Sequence, residues 1–394
     1  MVAQVKKTVI AKRTPKNDLQ KLKRKICYVF QGGGALGVYQ VGAYEAFREY
    51  GYAADMIIGI SIGGINSAII AGNPPENRVA KLHQFWDKIT QDSPTNHLYD
   101  MGLAKMSNWF GANNALGGIP AFYKPRLFTP GVFAPAKPEE LSYYDTSPLR
   151  ETLKDLIDFD YLNQKHVRLC LGAVELSSGE FVFFDSYKQE ITMDHVLATG
   201  ALPPGFPPIK IGDEYYIDGG VFSNTPIFKV LDEFAENPED MENVLCFMVD
   251  LFSAQGPYPH SIDGILERVK DIQLSSHSKR PTAIFATTQN LSHAINFLSG
   301  LLTEEQLKLP EVQDIVKLGF AHRVDVVRLI YHSPKGTELH SKDYNFSKKA
   351  AEMHLELGYH DAKKLVESKQ REWESQEHTG ITIYSQENAI VTKF

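Results

Sequence analysis

One serine in this 394-residue chain lies where an apolar strand would pass into an apolar helix, a position at which a hydroxyl can act as a nucleophile. Gly59-Ile60-Ser61-Ile62-Gly63 reads G-x-S-x-G, with Met56 to Ile58 before it and Ile65, Ala68, Ile69 and Ile70 at helical spacing after it. That context is the nucleophile elbow. A strand that turns sharply into a helix leaves no room for side chains on either flank, which explains Gly59 and Gly63. Ser61 would then sit at a helix start, where free N–H groups and the helix dipole favour negative charge on an attacking oxygen. Without the flanking strand and helix the pentapeptide would be an ordinary glycine-rich turn.

The elements that must position this serine begin at Ile26-Cys27-Tyr28-Val29-Phe30, a continuous apolar run of the kind found in buried parallel strands. It feeds Gln31-Gly32-Gly33-Gly34-Ala35-Leu36-Gly37 and then a helix from Val38 to Tyr50, so that strand, glycine loop, helix and second strand make a βαβ unit. Loop and serine then emerge together at the carboxyl edge of the sheet. Consecutive backbone N–H groups beside a nucleophile are what an oxyanion hole requires. A rival reading exists, because Gly32-x-Gly34-x-x-Gly37 also fits a dinucleotide fingerprint, with Asp55 in the place of the ribose-binding acid. A nucleotide-binding oxidoreductase would need that acid at the carboxyl end of its strand, whereas Asp55 stands at the beginning.

Further along, Val167 to Val174 and Phe181 to Asp185 read as a hairpin, Met193 to Gly200 as a short helix, and Gly200 to Pro208 as a rigid bend. Tyr215 to Asp218 is a strand ending in an acid followed by Gly219 and Gly220, after which Ser223-Asn224-Thr225-Pro226 starts a helix to about Phe234. An aspartate before glycine is common in turns, and its value here depends on the serine. Asp250 ends the strand from Val244 to Phe252 in a similar way and is the second choice for a catalytic acid. Leu149 to Phe159 and Asn77 to Ile89 are amphipathic helices. His83 and Asp87, one turn apart on the latter, lack further partners for chemistry. Between Met101 and Pro138, Trp109, Phe110, Phe122, Tyr123, Phe128 and Phe133 alternate with glycines and prolines, as in a packed loop or a lid over a greasy substrate. Beyond Pro257 the spacing predicts helices over Ile262 to Gln273, Ile284 to Leu302, Glu304 to Leu318 and Lys348 to Glu367, with a strand at Val324 to Tyr331 that can rejoin the sheet.

A chain that is 43% hydrophobic and 23% charged can bury a substantial core, and no stretch is long and apolar enough to span a bilayer. The net charge of −7 is uneven: residues 1–25 hold nine Lys or Arg against Asp18, a charge of +8 that leaves −15 for the rest. Such an arm is read either as a solvated, disordered tail or as a tether to anionic lipid, and the acidic body argues against nucleic acid. Cys27, Cys170 and Cys246 sit in apolar runs, consistent with free thiols in a reducing compartment. With no secretory signal apparent, a cytoplasmic location with peripheral membrane contact is expected. No metal-ligand spacing and no Walker lysine occurs, so neither metal nor other cofactor is expected.

The loop QGGGALG, the elbow GISIG, the bend ATGALPPGFPP and the strand end IDGG followed by VFSNTP together resemble the patatin-like phospholipase family. The resemblance covers residues 26 to about 235, and residues from about 255 to 387 resemble more loosely a C-terminal region carried by some bacterial members. It implies a three-layer α/β/α fold with a mostly parallel central sheet, a catalytic domain over 26–250, and a largely helical extension over 251–394. By the same resemblance Ser61 is the nucleophile and Asp218 the general base of a Ser–Asp dyad. Gly32, Gly33, Gly34, Ala35 and Gly37 then form the oxyanion hole, with Gly59, Gly63, Gly219 and Gly220 as motif glycines. Many members carry Lys or Arg where this chain has Leu36, so cationic help to the oxyanion is not expected. The implied activity is hydrolysis of lipid acyl esters, of phospholipase A or lysophospholipase type. The alternative from another class is an inactive lipid-binding module of the same fold.

Overall fold

The structure, a computed structural model, describes residues 24–90, 106, 115–128, 131, 135–230, 243–319, 323–334, 338–369, 380–385 and 389–390. Strand β1 (Arg24–Phe30) leads through the glycine loop into helix α1 (Gly37–Glu49), then β2 (Met56–Ile60), α2 (Ile62–Ala71) and α3 (Arg78–Ile89). Two short helices, α4 (Ser147–Lys154) and α5 (Phe159–Asn163), precede β3 (Arg168–Glu175) and β4 (Phe181–Asp185). Helix α6 (Met193–Thr199), β5 (Ile209–Ile211), β6 (Glu214–Asp218) and β7 (Asn243–Asp250) follow.

The C-terminal region contributes α7 (Ile262–Ser299), α8 (Glu304–Leu307), α9 (Pro310–Val316), β8 (Val324–Ile330), α10 (Lys348–Lys369), β9 (Ile381–Ser385) and β10 (Ala389–Ile390). One sheet runs β10-β9-β8-β7-β1-β2-β3-β6-β5, with β4 also paired to β3. The six strands from β9 to β3 are mutually parallel, and β4, β5, β6 and β10 pair antiparallel. The parallel centre explains why β1 and β2 are apolar without alternation: both faces are covered, and Tyr28 to Phe30 and Ile57 to Ile60 are buried.

The register of this sheet brings the site together. Strand β3 pairs with β2 up to Ile60↔Gly172, and its last three residues pair with β6, beginning at Ala173↔Asp218. The residue after Ile60 and the last residue of β6 therefore meet at the same point of β3.

Several sequence expectations change here. The strand expected at Val324 to Tyr331 is β8 and joins the sheet beside β7, whereas the further parallel strand β9 was not expected. The two helices expected over 262–302 are one 38-residue helix, α7. Its polar middle, Ser275 to Arg280, carries no apolar period yet need not break a helix once the flanking turns are packed. Glu304 to Leu318 divides at Pro310, which opens α9, where the N–H that proline lacks would have had no partner within the helix. The helix expected over 149–159 closes at Lys154, and α5 starts anew behind Asp158, whose carboxylate accepts from the Tyr161 N–H. Among the described residues no helix is long and apolar enough to cross a membrane.

Candidate active site

Ser61 joins β2 to α2 with φ 55° and ψ −128°, a left-handed backbone that costs a residue other than glycine on the order of 1–3 kcal/mol. Its surroundings hold it there. The Ser61 N–H donates to the Thr199 carbonyl (3.0 Å) and hydroxyl oxygen (3.2 Å), and the Ser61 carbonyl accepts from Gly64 and Ile65. Thr199 in turn donates its hydroxyl to the Gly172 carbonyl at 2.6 Å. The start of α2 lies directly on the end of β1: a side chain at Gly63 would stand 2.5 Å from the Phe30 carbonyl oxygen.

Asp218 ends β6 with 1% of its surface exposed. Its N–H donates to the Ala201 carbonyl and its Oδ1 accepts from the Gly220 N–H at 2.7 Å, and the Ser61 side chain is near enough to act on its carboxyl. Burial pushes the Asp218 pKa up to about 6, against the lowering effect of the nearby Ser61 side chain and the Gly220 N–H. A carboxylate so raised is still ionised near neutral pH and is a better proton acceptor than an ordinary one.

The glycine loop lies against the serine. A Cβ on Gly32 would sit 2.9 Å from Ser61 Cβ and 2.5 Å from Asn224 Oδ1, so only glycine lets the backbone come this close. Asn224 holds the loop from the other side, its Nδ2 donating to the Gly32 carbonyl at 3.0 Å. Gln31 Oε1 accepts from Leu251 N and Phe252 N, which ties the loop to the end of β7. Behind it runs a buried polar chain, in which Trp86 Nε1 donates to Asn66 Oδ1 while Asn66 Nδ2 donates to Gln40 Oε1 and to the Gly37 carbonyl. Satisfied networks of this kind rigidify what they hold, and donors held rigid cost no reorganisation when charge develops nearby. Ile62 opens α2 beside them, and the first N–H groups of a helix lack partners within it.

Ser61, Asp218 and the glycine loop line a cavity of about 270 Å³. Gly32, Gly33, Gly34, Ser61, Asp218 and Gly220 reach its surface; Ala35, Gly37, Gly59, Gly63 and Gly219 do not. Ala35 is buried, Gly37 packs on Ile62, Gly59 and Gly63 face each other across the elbow, and Gly219 backs onto Gly172. Leu36 is buried in the core. Most of the remaining lining is apolar, including Ile65, Phe122, Tyr123, Phe206 and Phe346, and its only charged members among the described residues are Asp218 and Asp343.

Other sequence candidates lie elsewhere. Asp250 does not line the cavity; its carboxylate accepts from Arg328 Nε at 2.6 Å and from the Thr225 hydroxyl. His83 pairs with Glu45 at 3.0 Å, and among the described residues no histidine lines the cavity. Asp55 stands at the opposite end of β2 from Ser61, accepting from the Ile26 N–H. Phe122 and Tyr123 of the aromatic segment are buried against the cavity, as a packed loop requires; Leu127 and Phe128 are exposed, and Trp109, Phe110 and Phe133 lie outside the described residues. Thr199 and Asn224 were not singled out from sequence. The only signal was their place, one beside the bend and one in the turn after Asp218.

A serine and a buried carboxylate at the carboxyl edge of a mostly parallel sheet, under a glycine loop, describe a class of nucleophile site on a three-layer α/β/α fold. The family model for Patatin-like phospholipase matches residues 28–231, and the protein belongs to that family. A second model, described as Patatin phospholipase, matches residues 272–379. Among curated relatives, the Uncharacterized protein YqhO of Bacillus subtilis is 25% identical over 212 residues, 51% of this chain and 65% of the relative. Lysophospholipase nte1 of Aspergillus terreus is 43% identical over 65 residues, covering 15% of this chain and 4% of the relative. The chain thus spans less than two thirds of the length of these relatives. Of solved structures, VipD from Legionella pneumophila superposes with a TM-score of 0.35 at 15% identity, over 88% of this chain and 67% of that one. Human GIVD cytosolic phospholipase A2 gives 0.39 at 10% identity, over 89% of this chain and 59% of that one.

Proposed function

We propose that the protein is a serine hydrolase of lipid acyl esters, of phospholipase A or lysophospholipase type, working through Ser61 and Asp218. The observation that carries this reading is an apolar cavity lined by Ser61 and, beside it, by a buried carboxylate with its pKa at about 6. Asp218 takes the proton as Ser61 Oγ attacks the acyl carbon, and the oxyanion is held by N–H groups of the Gly32 to Gly34 loop. The alcohol leaves with the proton, and water activated by the same carboxylate then releases the acid from the acyl-enzyme. Direct contact between base and nucleophile removes the need for an imidazole between them.

Family membership and the pairing of the two side chains favour this over an inactive lipid-binding module. A nucleotide-binding oxidoreductase is disfavoured by Asp55, which sits at the opposite edge of the sheet from the glycine loop. The substrate reading brings with it peripheral contact with a lipid surface, from which an acyl chain must be drawn.

The test is labelling with an alkyl fluorophosphonate, read by peptide mass spectrometry, together with turnover of a soluble acyl ester. The label should fall on Ser61, and Ser61→Ala should lose at least about a thousandfold in kcat while keeping its fold, as removal of a nucleophile does. A folded Ser61→Ala protein that keeps a tenth of the turnover would sink the proposal.

A further inference from the structure

The cavity has one wall that comes from the far end of the chain. Asp343, Tyr344 and Phe346 line it, with Leu274 of α7 beside them. The segment that carries them turns through a short 3-10 helix, Lys342–Tyr344, and is tied down on both sides. Lys342, its side chain 3% exposed, reaches Glu267 Oε1 (3.2 Å), Asp271 Oδ2 (3.2 Å) and Ser333 Oγ (2.9 Å). Lys270 Nζ meets Asp343 Oδ1 at 2.7 Å. On the opposite side, the Asp343 carbonyl oxygen occupies the space a side chain at Gly34 would need, 2.2 Å from the Cβ position. The segment is therefore seated on the glycine loop.

Buried ion pairs of this kind contribute little net stability, since desolvation offsets attraction, but losing one partner leaves the other charge buried and uncompensated. The chain so anchored leads directly to Phe346. Its ring is 5% exposed, stacks on Trp86 (centroids 6.4 Å apart, 15°) and meets Phe122 edge-on at 5.6 Å. It has packed neighbours on the protein side and the cavity on the other. Tyr344, by contrast, is 46% exposed and lies at the rim.

We propose that the C-terminal region, through Phe346 at the wall and Tyr344 at the rim, selects the length of the apolar chain that the cavity accepts, with Lys342 as the positioning residue. This rests on the acyl-ester reading of the cavity, yet it can be measured without turnover. A neutral probe is the right one, because both charged lining residues are carboxylates.

The experiment is displacement of a fluorescent fatty alcohol by hexanol, decanol and hexadecanol from the full-length protein and its Phe346→Ala and Phe346→Trp variants. Removing the ring should raise the preference for hexadecanol over decanol by about tenfold, and enlarging it should shift preference toward hexanol, since one methylene in a fitted pocket is worth roughly tenfold or more. Phe346→Leu replaces the alanine variant should that one fail to fold. Length preferences that are identical in all variants, or that move the same way for Ala and Trp, overturn the proposal. Fluorophosphonate labelling of the same samples separates the two readings: an unlabelled Ser61 with shifted length preference removes the hydrolase while leaving the wall.

Discussion

Asp218 is buried at the end of β6, and its pKa of about 6 makes two measurements move in opposite directions. In the proposed role of base it must be ionised, so kcat/KM for a soluble ester should be level above about pH 7 and fall close to tenfold per pH unit below about 6. A pH profile with its acidic limb near 4 would remove Asp218 from that role. Stability has the opposite sign. The folded pKa lies above the ordinary 3.8, so between about 4 and 6 the unfolded chain has released a proton that the folded one retains. Ionised Asp218 therefore costs the fold on the order of 3 kcal/mol above about pH 6, and nothing below about 4. Asp218→Asn should be inactive and yet melt higher than wild type at about pH 8, with the gain vanishing at about pH 4. A lower melting temperature at both values would contradict this account.

At the scale of elements, the glycine loop is held by the helix that follows it, and that helix is held by the C-terminal region. Helices α1 and α10 cross where each presents a glycine to the other's backbone. A Cβ on Gly42 would lie 2.0 Å from the Leu355 carbonyl oxygen, and one on Gly358 2.1 Å from the Tyr39 carbonyl oxygen. Tyrosines fasten the ends of this contact, Tyr39 to Asp361 at 2.9 Å and Tyr359 to Glu49 at 2.7 Å. Backbone cannot yield as a flexible side chain can, so Gly358→Leu should destabilise by about 3 kcal/mol or more, the upper range for overpacking. Denaturant unfolding should also find that Gly205→Ala costs under about 1 kcal/mol, since a Cβ there meets nothing nearer than 3.4 Å. Equal effects of the two substitutions would mean that the crossing is looser than described.

For the molecule as a whole, charge is divided between a basic arm and an acidic body. Residues 1–23 lie outside the described residues, and Arg24 belongs to β1, where it pairs with Asp325 at 3.0 Å. A truncation that tests the arm must therefore stop short of Arg24. The arm carries charge without aromatic anchors, so its attraction to anionic lipid should be reversible and screened over a Debye length of about 8 Å at physiological salt. Removing residues 2–22 should weaken co-sedimentation with anionic vesicles, and most at low salt, while leaving hydrolysis of a soluble ester unchanged. If full-length and shortened chains sediment alike at both salt concentrations, the arm is a solvated tail.

Much of the site was legible because its parts are local. An elbow needs glycines within two residues of its serine, a glycine loop needs its strand and helix next to it, and an aspartate at a strand end is punctuated by the glycines that follow. Periodicity gave the parallel centre of the sheet for the same reason, since a strand covered on both faces is apolar throughout. What tertiary structure decided was how these parts meet. The meeting of Ser61 with Asp218 depends on β3 exchanging β2 for β6 between Gly172 and Ala173, a register that no local pattern encodes. The sequence already ranked Asp218 ahead of Asp250; the structure adds their surroundings, Ser61 beside the one and Arg328 bonded to the other. Asn224, Thr199, Tyr344 and Phe346 reach the site from separate stretches of chain, and their residue types alone are as common in turns and cores as in binding sites. Their places at the cavity come from close packing at long sequence separation, which a sequence pattern carries only after the fold has brought the segments together.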